Sequence, residues 1–174
     1  MFFLEEFYKD GAIVRDINHT FLALIPKTKN PGNLGEFRPI SLVGAMYKIL
    51  AKVLANCIRR VMSSIIGDFQ MVFVKGRQII DSFIIAEEII HKWRKDKEGG
   101  LLVKLDFEKA YDSVDHAFLD SMMVNMGFGD HWRGWIRNCI SSPLLSVLVN
   151  GSPTSQFGLQ RGLRQDDPLS PFLF

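Results

Sequence analysis

Asp106 follows the apolar, β-branched run Leu101-Leu-Val-Lys-Leu105 and precedes a polar stretch that starts at Glu108. A carboxylate that leaves the end of a strand can hold Mg²⁺, a hard ion that takes oxygen ligands. Phosphoryl transfer often uses two such ions, one activating a hydroxyl and one neutralising a leaving pyrophosphate. One Asp cannot hold both. The plainer alternative is a strand-end Asp that caps a turn, and Asp106 taken alone does not exclude it. Tyr111 is equally open, as an amphipathic core residue or as a ring that meets a substrate.

Charge is distributed unevenly around a net value of +2. Residues 20–66 carry Lys27, Lys29, Arg38, Lys48, Lys52, Arg59 and Arg60 against the single acid Glu36. Residues 99–134 reverse this, with Asp106, Glu108, Asp112, Asp115, Asp120 and Asp130 against Lys104, Lys109 and Arg133. A basic segment followed by an acidic one suits a protein that grips phosphates with one part and metal ions with another. A solvated charged surface is the alternative.

The elements that must hold these residues follow from periodicity. Thr20–Pro26 predicts a short buried strand ended by Pro26, and residues 27–35 a loop. Met46, Ile49, Leu50, Val53, Leu54, Cys57, Ile58 and Val61 recur at helical spacing and predict an inward face. Lys48, Lys52 and Arg59 fall within about 40° of one another on the opposite face at about 100° per residue. A second helix is predicted over 79–95, with Ile79, Ile80, Phe83, Ala86, Ile90 and Trp93 inward, and Gly99-Gly100 breaks it. Leu101–Phe107 predicts a strand. Asp115 and Asp130 stand as N-caps of two helices, and Leu144–Val149 with 155–159 predicts a hairpin about Asn150-Gly151. The fold class expected is α+β in one compact unit or two closely packed lobes.

The composition, 47% hydrophobic and 23% charged over 174 residues, is that of a globular chain with room for one ordinary core. No run approaches the roughly 18 apolar residues of a membrane-spanning helix, and Met1-Phe-Phe-Leu-Glu-Glu6 is acidic where a signal peptide is basic. Cys57 and Cys139 have no Cys or His partner at metal spacing, so reduced core thiols and an intracellular location, nucleus or cytoplasm and not secreted, are expected.

Lys104-Leu-Asp-Phe-Glu-Lys-Ala-Tyr-Asp-Ser-Val-Asp115 resembles the first catalytic motif of the reverse transcriptases of non-LTR (LINE-type) retrotransposons. Gly162-Leu-Arg-Gln-Asp-Asp-Pro-Leu-Ser-Pro171 is similar to the motif that lines their nucleotide pocket. Phe21–Lys27, Phe37–Leu42 and Tyr47–Lys52 resemble the first fingers motif, and Phe73–Asp81 the second, in a style closest to plant elements. The resemblance implies a right-hand polymerase fold, with about 1–100 fingers-like and about 101–174 an incomplete palm.

On that match Asp106 is the catalytic metal ligand and the Phe107 carbonyl the second contact, with Mg²⁺ as cofactor in the complete enzyme. Tyr111 falls at the steric gate that selects dNTPs, and Gln165 faces the nucleotide. Arg38, Lys75 and Arg77 are candidates for contact with triphosphate and template, since an arginine fork suits phosphate oxygens. Asp166 stands where the family usually has Gly, which permits φ > 0 and close backbone approach to the substrate. An Asp there adds negative charge near phosphates, so weakened nucleotide binding is expected. RNA template, DNA primer and dNTPs are the implied partners, with no membrane.

In the family, the Tyr/Phe-x-Asp-Asp hairpin that supplies the remaining carboxylates lies beyond the position of Phe174, so a truncated chain inactive alone is expected. One rival is a non-catalytic RNA-binding remnant that uses Lys48, Lys52 and Arg59. Another is a piece that never folds stably, with Leu101–Phe107 an unpaired sheet edge. A group II intron maturase, a third, shares the fold but has a less similar fingers segment.

Overall fold

A computed structural model describes residues 2–174 and places them in an α+β arrangement, as expected. The chain divides into two compact units, Met1–Ala55 with Lys109–Phe174, and Asn56–Glu108.

The first unit is built on a small mixed sheet of β1 (His19–Pro26), β2 (Phe37–Val43), β3 (Leu144–Val149), β4 (Ser152–Pro153) and β5 (Phe157–Gly158), in the order β2-β1-β3-β4 with β5 also pairing β3. Strand β1, His19–Pro26, ends at Pro26 as predicted and pairs antiparallel with β2, Phe37–Val43, from Thr20↔Val43 to Pro26↔Phe37. The loop between them is held by Glu36, whose carboxylate accepts from Gly32 N–H at 2.7 Å and Asn33 Nδ2 at 3.1 Å. Strand β2 carries Pro39, which an edge strand tolerates because a donor is missing only where no ladder needs it. β3, Leu144–Val149, lies parallel to β1, so the intervening chain must cross over. Asn150 and Gly151 both have positive φ, 49° and 81°, the pair of left-handed residues that a two-residue hairpin turn requires. The turn leads into β4, Ser152–Pro153, and β5 follows at Phe157–Gly158.

Helix α1, Phe2–Asp10, lies against α6, Asp130–Ser141, through Phe7 and Tyr8, whose rings stand 5.7 and 5.5 Å from Trp135. Gly11 ends α1 at φ +67°, and its carbonyl accepts from Asn138 Nδ2 at 2.9 Å. After the short α4, Ala110–Ser113, α5 spans His116–Asn125 behind the expected cap, Asp115 accepting from Phe118 N–H at 2.8 Å. The cap of α6 is Gly129 rather than Asp130. Asp130 lies inside the first turn and pairs with Arg133, which also bonds Asp120 of α5 at 2.8 Å.

Helix α2, Ala45–Ile65, forms where predicted and runs through both units, but its buried stripe is Tyr47, Leu50, Ala51, Leu54, Ala55, Ile58 and Met62. Met46, Ile49, Val53, Cys57 and Val61, expected inside, are exposed. The stripe is rotated toward Ala51 and Ala55, where small side chains allow close approach, and toward Tyr47, whose flat ring packs over a cation. Of the two thiols only Cys139 is a core residue.

In the second unit, α3, Ile79–Asp96, forms as predicted, but no residue of it is buried, and Ile79, Ile80 and Phe83 are exposed. Gly100 packs on the Trp93 ring. Residues 101–107 form no strand, and Leu105 and Phe107 are 74% and 73% exposed. A strand needs a ladder partner for its N–H and C=O groups, and no described residue pairs with this segment.

Leu54→Ala is therefore expected to lower stability by about 2–5 kcal/mol, and its neighbour Val53→Ala by no more than about 0.5 kcal/mol. Urea denaturation of the two variants checks the rotated face; equal losses would contradict it.

Candidate nucleotide site

The part of the first motif that lies in the first unit, with His116 beyond it, meets the second motif there. Gly162 N–H donates to the Val114 carbonyl at 2.7 Å, and Leu163 N–H to the Tyr111 carbonyl at 2.8 Å. His116 Nε2 bonds the Gly162 carbonyl at 2.8 Å. Gly162, at φ +85°, lies so close to Asp112 that an added Cβ would meet backbone atoms at 2.8–3.1 Å. Any side chain here would force the motifs apart.

This close approach sets Tyr111 and Gln165 at one locus. The Tyr111 ring is half-buried and stacks on Phe174, centroids 5.1 Å apart at 24°. The Gln165 amide reaches Asp112 Oδ1 at 3.5 Å, and its carbonyl accepts from Ser41 N–H of β2 at 3.2 Å. Asp166 follows in the left-handed region at φ +69°, with its carboxylate exposed. The backbone thus has the conformation that makes Gly the usual occupant, and Asp accepts it at moderate cost.

Beneath this loop lies a group of residues not singled out from the sequence. Arg164 and Asp167, three residues apart, form an ion pair of 2.9 Å with both side chains almost fully buried. The guanidinium also donates to Asn18 Oδ1 at 2.8 Å, Thr20 Oγ1 at 3.1 Å and the Cys139 carbonyl at 3.3 Å. It sits 4.0 Å above the centre of the Tyr47 ring. Asp167 Oδ1 accepts from Leu169 N–H at 2.9 Å, which turns the chain toward Ser170. The sequence signal was two opposite charges at i,i+3 flanked by Leu163, Pro168 and Leu169, and it is weak because most such pairs are surface pairs.

The buried groups beside this pair titrate abnormally. Burial, reinforced by the Asp167 charge and opposed by Arg164, pushes the Cys139 thiol up to about 12. Burial first, then Cys139 and Asp167, raises the Tyr47 hydroxyl well above its usual range. That hydroxyl lies close to both groups but makes no hydrogen bond of ordinary geometry.

The other candidates are placed as follows. In the first unit Arg38 is exposed on β2, and Lys48 and Lys52 are exposed on α2. In the second unit Arg59 and Lys75 line an open hollow of about 500 Å³ with Asn56, Arg60 and Ser63. Arg77 gives its guanidinium to the Gly67 and Gln70 carbonyls at 2.6 and 2.8 Å, binding the turn after α2. Asp106 and Phe107 lie on the exposed segment of this unit, and among the described residues no three His, Cys, Asp or Glu side chains gather in metal-binding geometry. A carboxylate and a carbonyl are the right donor types for a hard cation but fall short of a full coordination set.

Residues 25–174 match the family described as reverse transcriptase (RNA-dependent DNA polymerase). The transposon TX1 uncharacterized 149 kDa protein of Xenopus laevis is 31% identical over 98% of this chain and 13% of its own length. A Retrovirus-related Pol polyprotein from a type-1 retrotransposable element R2 of Popillia japonica is 27% identical over 87% of the chain and 21% of its own length. That from the type-2 element R2DM of Drosophila melanogaster is 28% identical over 94% and 15%. The chain thus spans between 13% and 21% of the length of these relatives. No described helix is long and apolar enough to cross a membrane.

Two outcomes follow from this geometry. At position 166 stability is expected to run Gly, then Asp, then Ala, with about 1 kcal/mol between Gly and Ala, because only Gly takes positive φ without strain. Thermal unfolding of Asp166→Gly and Asp166→Ala checks the order. The raised thiol sets the sign of a pH effect. The unfolded chain sheds this proton near the usual 9.0 and the native chain only near 12, so the contribution is whole below about 9 and lost as pH rises toward 12. Urea midpoints at about pH 8 and about pH 10.5 are expected to fall in that order, and Cys139→Ala to flatten the difference.

Proposed function

The chain belongs to the reverse transcriptase family, among LINE-type retrotransposons, and on that premise we propose that it receives the incoming nucleotide in RNA-directed DNA synthesis. The observation that carries this reading is the tie between the motifs, Leu163 N–H to the Tyr111 carbonyl and Gly162 N–H to the Val114 carbonyl. It ties the backbone at Tyr111 to the loop that carries Gln165; on this reading Tyr111 is the gate against a ribose 2′-hydroxyl and Gln165 the residue facing the nucleotide. Arg38 and Lys75 are the candidates for triphosphate and template oxygens, since Arg77 already holds backbone carbonyls. About 1–100 would then be fingers and about 101–174 the start of the palm, and the polymerase would work inside the cell on an RNA template with a DNA primer.

Asp106 and the Phe107 carbonyl are the donors this chain would contribute to Mg²⁺. When bound, the ions supply activation of a primer 3′-hydroxyl and stabilisation of the leaving pyrophosphate. One carboxylate and one carbonyl supply part of the oxygen set that a pair of such ions takes.

A second reading has its own support in the exposed Lys48 and Lys52 and in the hollow lined by Arg59, Arg60 and Lys75. There the basic groups bind RNA phosphates without Mg²⁺ or dNTP, and affinity falls steeply with salt.

NMR titration with dNTP and Mg²⁺ tests the first reading. The Gln165 side-chain amide and the Tyr111 ring are expected to shift with dNTP more than with rNTP. Tyr111→Ala is expected to erase the difference. Asp166→Gly is expected to tighten binding about fivefold, the effect of removing about 1 kcal/mol of charge repulsion. Unmoved signals in both wild type and Asp166→Gly would end this reading. Loss of RNA binding on charge reversal at Lys48, Lys52 and Arg59, with Asp106→Ala harmless, would favour the second.

A further inference from the structure

Arg164 and Asp167 bracket Gln165, which the proposed function turns toward the nucleotide, and Asp166. A buried ion pair is a poor stabiliser, because taking two charges out of water costs about as much as their attraction returns. Apolar residues of similar volume would fill the same space, but would leave Asn18, Thr20, the Cys139 carbonyl and Leu169 N–H without these partners. The pair does, however, add geometry that apolar residues cannot. Arg164 is held in place by Asn18, by Thr20 of β1, by the Cys139 carbonyl of α6 and by the face of Tyr47 of α2. Asp167 is fixed by Arg164 and by Leu169 N–H. Both ends of the Gln165-Asp166 dipeptide are therefore anchored, and the strained φ of +69° at Asp166 lies between the anchors.

We propose that Arg164 and Asp167 are positioning residues, which hold Gln165 in register with Ser41 N–H and Asp112 so that its amide is preset for a nucleotide. The proposal rests on the reading that Gln165 faces the nucleotide, but its geometric half stands without it. A pair that served stability alone would lose stability throughout the unit when altered. A positioning pair, replaced without leaving a lone charge, leaves the core intact and frees the loop.

The test compares the whole chain with Arg164→Met/Asp167→Leu and with Arg164→Gln/Asp167→Asn, both of which remove the two charges together, the second keeping an amide oxygen for Leu169 N–H and amide donors toward Asn18 and Thr20. Amide hydrogen exchange is read at Ser41, whose N–H bonds the Gln165 carbonyl, and at Leu54 in the core of α2. The expected result is exchange at Ser41 about tenfold or more faster in each folded variant, with Leu54 protection retained. Should Arg164→Met/Asp167→Leu fail to fold, Arg164→Gln/Asp167→Asn alone carries the comparison. Ser41 and Leu54 losing protection equally, or Ser41 losing none, would overturn the proposal. A dNTP–Mg²⁺ titration of the Gln165 amide separates the two readings. If Ser41 loosens as expected but dNTP never shifts Gln165 even in the wild type, positioning stands and the nucleotide reading fails. If dNTP shifts Gln165 equally in wild type and in a variant whose Ser41 has loosened, the presetting role fails.

Discussion

The Arg164–Asp167 pair imposes conditions on everything packed around it. Each charge taken from water costs several kcal/mol unless its hydrogen-bonding capacity is met. Arg164 meets that demand through Asn18, Thr20, the Cys139 carbonyl and Asp167, with the Tyr47 ring covering the guanidinium face. The partners come from four stretches of chain: Asn18 with Thr20, Tyr47, Cys139, and Asp167. Thr20 must therefore be a small hydroxyl residue just ahead of the apolar run that starts at Phe21, and Tyr47 must turn its ring inward from the first turns of α2. The rotation of the buried stripe of α2 follows from this demand. Leu50 and Leu54 follow Tyr47 at helical spacing, and Met46 and Val53 are carried to the surface.

The same constraint shapes the loop above. With Arg164 and Asp167 both pinned below the surface, the residues between them must reverse direction quickly, and a left-handed residue is the short way to do so. Asp166 occupies that position at φ +69°. The structure accommodates the exchange of Gly for Asp because Asp tolerates this conformation better than most residues and its carboxylate points to solvent. What the exchange alters is chemistry: a negative charge now sits one residue from Gln165, where a triphosphate would be repelled. Backbone and electrostatic consequences of a single side chain are thus separable, because one belongs to φ and the other to distance.

Features with a local cause were legible in the sequence. The Asp115 cap, the Asn150-Gly151 turn, the end of β1 at Pro26 and the existence of α2, α3, α5 and α6 each depend on residues adjacent in the chain. Features with a distant cause were not. The inner face of α2 is chosen by Arg164, far along the sequence, and hydrophobic periodicity alone gave a face rotated by about one residue. β2 was missed because Pro39 reads as a strand breaker, and only its edge position makes it harmless. The strand over 101–107 was overstated for the converse reason, since composition supplies β propensity but not a partner. Asp106, Tyr111 and Gln165 are candidates by motif resemblance alone. Arg164 and Asp167 escaped because no pattern of spacing distinguishes a buried pair from an exposed one.

The two units differ in what holds them. In Asn56–Glu108 the buried apolar residues are Ile58, Met62 and Val74, and order comes largely from helical hydrogen bonds and from Arg77 gathering the carbonyls of the 66–70 turn. An isolated helix of this length is marginal in water without an apolar face to bury. Its cap helps little, since Gln78 N–H reaches Asp81 only at 3.4 Å. The first unit, by contrast, has a contiguous core of Leu50, Leu54, Ile136, Cys139, Leu145, Leu163 and Leu169. The ranking of stability within one chain therefore follows the distribution of buried apolar area. Tyr111 and Gln165 belong to the unit with the contiguous core. Asp106 sits on an exposed segment of the less buried unit, where a carboxylate must lose more freedom before it can hold a metal ion in fixed geometry.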